Sequence, residues 1–388
     1  MNLSFFSEGL KNFNQNKKSL LSNKKIVVGV FVRENFIKKL MKQDSDFKMY
    51  FMFNEFYKAS EDTDTTLYFF GCHDIDFDRR KIVGTFREKG REWSNKEFPF
   101  PDVIFDRVHN SNQSAEIARE KFKELNIKTM NPKSYFDKKE LLEELLKFKS
   151  LEPYIPRTAP FNGYDDLEKI LIEEKSIYLK DIYGRAGIRI MKIKKIKKKG
   201  YRYQYSLNKK IHKGMEKNLK KLYQKILKLY KGKENQVYIQ TAINLLRVEN
   251  KIVDMRAEVQ RDRNGGLVIL AVPVRIAQKG AHITTHSEAV SFQTFFRDQL
   301  NYSEQEINKL KNQIDHFLRE VYMKTEQIYG SFGQLGIDFA LDKNKKLWFI
   351  ECNAKSAQVS ILKAYGENMV QESFKNNLGY AKFLVDSN

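Results

Sequence analysis

Two carboxylates and an amide near the C-terminus, Asp338, Glu351 and Asn353, stand in a segment that reads as a hairpin, GIDFALDKNKKLWFIECN. A two-residue loop at Asn344-Lys345 sets Lys343 against Lys346, and the same register sets Asp338 against Glu351. Asn353, two residues on, shares the face of Glu351. Facing carboxylates repel, and their shared site is costly without a cation. Hard oxygen donors that leave room for water and phosphate suit Mg²⁺ better than Zn²⁺. The alternative is a solvent-facing hairpin with incidental acids; Phe339, Trp348, Phe349 and Ile350 argue instead for an interior hairpin.

A second hairpin, IVDMRAEVQRDRNGGLVILAVPVRI, turns at Asn264-Gly265. With Arg263 facing Gly266, Asp254 falls opposite Arg275, and Asp254, Arg256 and Glu258 share one face. Two arginines among carboxylates can grip phosphate oxygens and steady charge that develops in transfer. An ion-pair ladder on an exposed sheet face is the other reading. In YLKDIYGRAGIRI, Lys180 ends a strand before Gly184 and Gly187, a pattern for a flexible cover over phosphates with the lysine as point charge. It is neither a P-loop nor GxGxxG, so an ordinary turn remains open. His282 and His286 have zinc-like spacing without the HExxH glutamate, which favours a substrate-loop or structural role. No Ser/His/Asp or Cys/His arrangement stands out.

These residues need strands to present them. Lys25 to Val32 reads as a buried strand, Glu34 to Lys42 as a helix, and Lys48 to Phe53 and Thr66 to Phe70 as strands before a Gly-rich turn region. Asp102 to Phe105 is a further strand, and Ser114 to Leu125 an amphipathic helix. This alternation suggests a small doubly wound α/β unit over 24–130. Asp137 caps a helix to Lys149, with Glu140 completing the capping pattern. Ser176 to Lys180 is a strand, Tyr201 to Tyr205 an alternating aromatic segment, and Met215 to Tyr230 a Lys-rich helix. A strand-rich part begins at Val237 and closes with helices near Ser303 to Tyr329 and Ala364 to Val385.

At 388 residues the chain is long enough for two or three domains. No apolar run approaches a membrane span. Residues 1–23 read as a polar leader and make a poor signal peptide. Cys72 and Cys352 match no metal or redox spacing, which fits a reducing cytoplasm. The net charge of +21 suggests an anionic partner such as nucleic acid, phosphate or an acidic polymer, or simply a lysine-rich surface. The run Lys192 to Lys199 with Tyr201, Tyr203 and Tyr205 has the composition of a nucleic-acid patch, and reads equally as a solvated hairpin.

Taken in order, these pieces resemble the ATP-grasp superfamily, and more closely its spore-coat-associated YheC/YheD group. KIVGTF, Trp93 and PFPDVIFDRV resemble that group's segment leading to a P-x-P-D strand. FDKKELLEELLKFKSLEPYIPRT resembles the stretch whose lysine, here Lys138, touches nucleotide phosphates. YLKDIYGRAG makes Lys180 the second such lysine; VYIQTAINL resembles the strand and hinge that meet adenine around Gln240; VDMRAEV, PVRIA and GIDFALDKNKKLWFIECNAK complete the set. The departures are Phe105 and Asp106 in place of tyrosine and asparagine, Asp181 in place of proline, Arg185 and Arg189 in place of small residues, and Ser356 in place of proline.

The resemblance implies an ATP-grasp fold, α/β and α+β. A Rossmann-like pre-ATP-grasp domain would occupy 24–130, a lid subdomain 131–236 and a C-terminal subdomain 237–388. It implies ATP and Mg²⁺ as cofactors. Lys138 and Lys180 would neutralise phosphates, with Gly184, Gly187, Gln240 and Asp254 also toward the nucleotide. Asp338, Glu351 and Asn353 would hold the metal. Arg275 and Arg256 would be the catalytic arginines. The implied function is a carboxylate–amine or peptide ligase working through an acyl phosphate in the cytoplasm, and the group's name implies association with spores. A basic polymer-binding protein with a degenerate ATP site and a small-molecule kinase are the alternatives.

Overall fold

The computed structural model describes residues 25–47, 49–108, 113–182, 189–207, 210–232, 236–281, 283–284 and 288–387. The chain divides into two compact units. One comprises 1–130, 262–266 and 374–388, and the other 131–261 and 267–373.

The first unit holds a mixed sheet. Thr66–Phe70, Val27–Phe31, Val103–Asp106 and Lys128–Thr129 run parallel in that spatial order. On the outer side of Thr66–Phe70 lies an antiparallel ribbon of Lys81–Arg87 with Trp93–Pro99 and Ile75–Asp76. The ribbon occupies what the sequence suggests is a turn region, so this sheet departs from the wholly alternating strand–helix unit expected. A second correction concerns Lys48 to Phe53, expected as a strand: Tyr50–Asp62 is a helix. Its Met52, Phe53, Phe56 and Ala59 are buried, at helical spacing that the crowded aromatics hide in the sequence. Phe53 packs edge-on to Phe69 at 4.8 Å. Phe374, from the helix Glu367–Asp386, stacks on Phe56 at 4.4 Å.

The second unit carries two antiparallel sheets. Six strands are ordered Lys210–Glu216, Gly200–Leu207, Ile190–Ile196, Ser176–Asp181, Val237–Thr241 and Thr158–Pro160. Helices Tyr164–Glu173 and Leu219–Tyr230 cover one face, burying Leu167, Ile170, Leu222 and Ile226 against Ile177, Leu179, Met191 and Ile193. The expected helix from Met215 begins only after Asn218, whose side chain accepts from the Lys221 N–H; Met215 itself lies on the edge strand. Gly214 stands opposite Tyr203, and a Cβ there would fall 2.3 Å from the Tyr203 Oη. Only a missing side chain lets that ring lie across the edge strand.

The other sheet is ordered Glu288–Val290, Val274–Ile276, Lys251–Arg261, Gln334–Leu341 and Leu347–Asn353, with Arg247–Val248 and Leu267–Ala271 also on Lys251–Arg261. Period-two alternation sends Val253, Met255, Ala257 and Val259, and Leu335, Ile337, Phe339 and Leu341, into one core. The helices Lys138–Leu146 and Glu304–Tyr329 pack there through Leu141, Leu145, Leu310, Phe317 and Val321. The opposite face is left to Asp254, Arg256 and Asp338. Among the described residues no helix is long and apolar enough to cross a membrane.

Candidate active site

Asp338 does pair with Glu351, but by a different route from the one the sequence suggests. The turn is a residue longer than expected: the Asp342 N–H donates to the Lys346 carbonyl at 3.0 Å, and Lys345 adopts φ +66°. Asp342 Oδ1 accepts from the N–H groups of Asn344 and Lys346 at 2.8 and 3.0 Å. That turn alone would set Asp338 opposite Ile350. A bulge between Asp338 and Phe339 restores the Glu351 pairing.

The bulge also decides which face Glu351 occupies. Leu347 and Phe349 point into the core, and so does Cys352. A regular strand would send Glu351 inward with Leu347 and Phe349; the extra residue, Ile350, turns it and Asn353 to the face of Asp338. The second hairpin repeats the device. Asp262 Oδ1 accepts from Asn264 and Gly266 at 2.8 Å each, Gly265 has φ +74°, and a bulge at Glu258/Val259 brings the ladder back to Asp254 opposite Arg275.

On that shared face the charges form a continuous chain. Arg275 donates to Asp254 through Nε and Nη2 at 2.6 and 2.8 Å, and through Nη2 to Asp338 Oδ2 at 3.1 Å. Arg256 forks onto both oxygens of Asp338 at 2.5 and 2.6 Å, and its Nη2 is 3.7 Å from Glu351 Oε1. Lys138 Nζ lies 2.9 Å from Glu351 Oε2. Asn353 Nδ2 is 3.4 Å from Glu351 Oε1. Burial opposes ionisation of Glu351, yet Lys138, Arg256 and Arg275 together hold its carboxyl well below the usual range. Burial raises the Asp254 pKa, opposed by Arg275. Thr284, from the Thr-rich segment, also donates to Asp254.

Lys138 is the first residue of a helix capped by Asp137, which accepts from Lys139 and Glu140 N–H at 2.9 and 3.0 Å. The Glu140 carboxylate accepts from Tyr329 Oη at 3.1 Å. On the six-stranded sheet, Lys180 Nζ donates to the side chain of Gln240 at 2.5 Å, and Gln240 in turn donates to Thr158 at 3.1 Å. The Gln240 side chain thus links Lys180 to the edge strand Thr158–Pro160. Burial, and then the charge of Lys138, pull the Lys180 pKa down to about 8. Its neighbour Lys192, which in the sequence reads only as the start of a lysine run, lies 5.2 Å over the Tyr178 ring and is likewise lowered to about 8 by burial, Arg247 and Lys194.

Gly184, Gly187, Arg185, His282 and His286 lie outside the described residues. Two departures from the resembled pattern meet at the base of that glycine segment: Arg189 Nη1 is 3.3 Å from Asp181 Oδ2. The proline-to-aspartate change therefore comes with its own counter-charge. Ser356, a further departure, sits against Gly336, where a Cβ would be 2.7 Å from its Oγ. No group of three or more His, Cys, Asp or Glu suited to a metal occurs among the described residues. Asp338, Glu351 and Asn353 nevertheless offer hard oxygens on one face, the donor chemistry a Mg²⁺ ion accepts.

The model of the YheC/D like ATP-grasp family matches residues 126–384. The endospore coat-associated protein YheC of Bacillus subtilis is 25% identical over 309 residues, covering 77% of this chain and 82% of YheC. Its companion YheD is 23% identical over 292 residues, covering 74% of this chain but only 63% of YheD's own length. Among solved structures, D-alanyl-alanine synthetase A from Vibrio cholerae superimposes with a TM-score of 0.57 at 11% identity, over 94% of this chain and 99% of that one. A fold built from two antiparallel sheets, a family match across most of the chain and two sequence relatives of the same kind agree: the chain belongs to the YheC/D-like ATP-grasp family.

Proposed function

We propose that this chain is an ATP- and Mg²⁺-dependent ligase that joins a carboxylate to an amine, C–N bond by C–N bond, through an acyl phosphate. The observation that carries the reading is the meeting of Lys138, Arg256 and Arg275 with Asp338 and Glu351 on one sheet face. Lys180 stands in the same unit, tied to a neutral glutamine. Cations and carboxylates gathered at this density in one cleft are the arrangement of a site that works on charged groups.

In this reading Lys138 and Lys180 bind the nucleotide phosphates, with the backbone around Gln240 and the loop of Gly184 and Gly187 beside it. Asp338, Glu351 and Asn353 would hold Mg²⁺, which when bound neutralises phosphate charge. Arg275, held by Asp254, would steady the phosphoryl group as it passes from ATP to the substrate carboxylate with release of ADP, then the tetrahedral oxyanion formed by amine attack, whose collapse expels phosphate. Arg256 serves the same charge from the next strand. The lid over 131–236 and the subdomain from 237 onward would close on the nucleotide, and spore association would follow that of the relatives.

The test is a screen for ADP release over pairs of carboxylates and amines, peptides included, with the Asp338→Ala/Glu351→Ala double variant beside it. ADP release that needs both substrates and vanishes in the variant supports the ligase. A stable phosphorylated product formed without amine makes it a kinase. Turnover unchanged in the variant sinks the metal assignment.

A further inference from the structure

The positive charge is not evenly spread. Between positions 190 and 232 sixteen lysines and arginines stand against a single acid, Glu216. This segment supplies three strands of the six-stranded sheet and one covering helix. Directly opposed residues share a face, and the register Gln240, Tyr178, Lys192, Gln204, Lys213 runs across five strands, about 19 Å at the usual strand spacing. The neighbouring row is Ser176, Lys194, Arg202, Met215. Neither row contains an acid. Lys194, Arg202 and Lys213 are exposed, and none of the three forms an ion pair among the described residues.

Three features define what fits there. The tyrosines that make the segment look like a nucleic-acid patch, 201, 203 and 205, alternate with Arg202 and Gln204 and pack on the helix-covered face. Among the described residues the rings on the cationic face are Tyr178, half-buried beneath Lys192, and the buried Tyr238, not the exposed stacking rings that single-stranded nucleic acid uses. Next, Lys210–Glu216 is an edge strand, whose outer N–H and C=O groups can take another strand. Finally, Ile211 and Met215, 43% and 54% exposed, flank Lys213 on this face. An added strand turns every second side chain to this face, so acidic residues at alternate positions would all meet its lysines and arginine, with Ile211 and Met215 bearing on their methylene stems. At its far end the face touches the segment after Arg275, where Gln204 Nε2 donates to the Gly280 carbonyl at 3.0 Å.

We propose that this open face and its Lys210–Glu216 edge dock an extended peptide in which acidic and apolar residues alternate, leading the substrate toward Lys180. The docking itself rests on the sheet; that the docked peptide is substrate rests on the ligase reading.

Fluorescence anisotropy on the full chain at physiological salt, without nucleotide, tests it with a labelled (Glu-Val)₅ peptide. A dT₁₀ oligonucleotide and a (Lys-Val)₅ peptide serve as comparisons. The peptide (Glu-Val)₅ should bind at least tenfold tighter than either. A Lys194→Glu/Arg202→Glu/Lys213→Glu variant should lose that binding tenfold or more, with its melting temperature and its affinity for ADP with Mg²⁺ retained. A Lys220→Glu/Lys221→Glu/Lys228→Glu variant, with the same charge change on the Leu219–Tyr230 helix, should bind as the parent does. Equal binding of dT₁₀, or equal losses in the two variants, overturns the proposal, since bulk charge would then suffice. Should the peptide bind while ADP does not, the ligase reading fails and the docking face stands; should ADP bind and the peptide not, the reverse holds.

Discussion

At the scale of single residues, the site is an alternation of charges in which each carboxylate is held by a cation from another element, Glu351 by Lys138 of the capped helix. Asp254 is the clearest positioning residue, gripping Arg275 by a two-pronged contact. Asp254→Asn would keep its shape but loosen that grip. Turnover should fall on the order of a hundredfold, the scale of losing one preorganised charge contact, while nucleotide affinity measured by calorimetry changes little. Lys180 makes a prediction in pH. Its ammonium is disfavoured by burial, so the folded chain releases the proton near pH 8 and the unfolded chain near 10.5. Across that window the unfolded state binds more protons, so the nucleotide-free chain gains stability as pH rises. Affinity for ATP moves the other way, falling above about pH 8. Lys180→Met should flatten both trends, in melting curves and in binding; a nucleotide affinity that stays level through pH 9 in the parent would contradict the assignment.

At the scale of elements, the bulges do the positioning. Deleting Ile350 would rejoin a regular ladder in which Glu351 follows Phe349 directly and keeps the face of Asp338, with Cys352 still in the core. Mg²⁺-dependent ADP binding and the fold should therefore both survive the deletion, whereas Glu351→Ala should abolish that binding with the fold retained. Calorimetry and thermal melts would register binding and fold separately. Gly214→Val should cost about 1–3 kcal/mol by forcing the Tyr203 ring aside, visible in urea unfolding. The same bulges explain what the sequence could and could not tell. Asp338 opposite Glu351 and Asp254 opposite Arg275 follow from reading each hairpin with a two-residue turn. In each the turn is in fact longer, and a bulge of one residue offsets it. Asp262 and Asp342 carried a usable sign, since an aspartate that caps the N–H groups two and four residues ahead favours the longer turn. The bulges carried none, because they answer to packing on the strand's far side. The strand misread at Lys48 to Phe53 failed for a related reason: aromatics pack well at either period, and the neighbouring strands decided it.

For the whole molecule, the family match covers the whole of the second unit and reaches into the first, and the order of motifs along the sequence sufficed to recognise the family. Harder to foresee was that the first unit draws on three separate stretches, 1–130, 262–266 and 374–388. Leu378 and Ala381 are fully buried, Phe374 stacks on Phe56, and Lys375 Nζ is 2.8 Å from Asp62. Phe374→Ala should therefore destabilise the first unit by about 3–5 kcal/mol, the usual cost of emptying a buried aromatic site. Hydrogen exchange at Val27–Phe31 and Thr66–Phe70 would report it, ahead of any change at Gln334–Leu341.

That discontinuity sets an order of events during synthesis. Phe56 leaves the ribosome long before Phe374, with more than 240 residues between the end of the first stretch and the return of the last. At roughly 5–20 residues per second the nascent first unit waits on the order of 10–50 s with an aromatic face uncovered, an interval in which a holding chaperone would find its client.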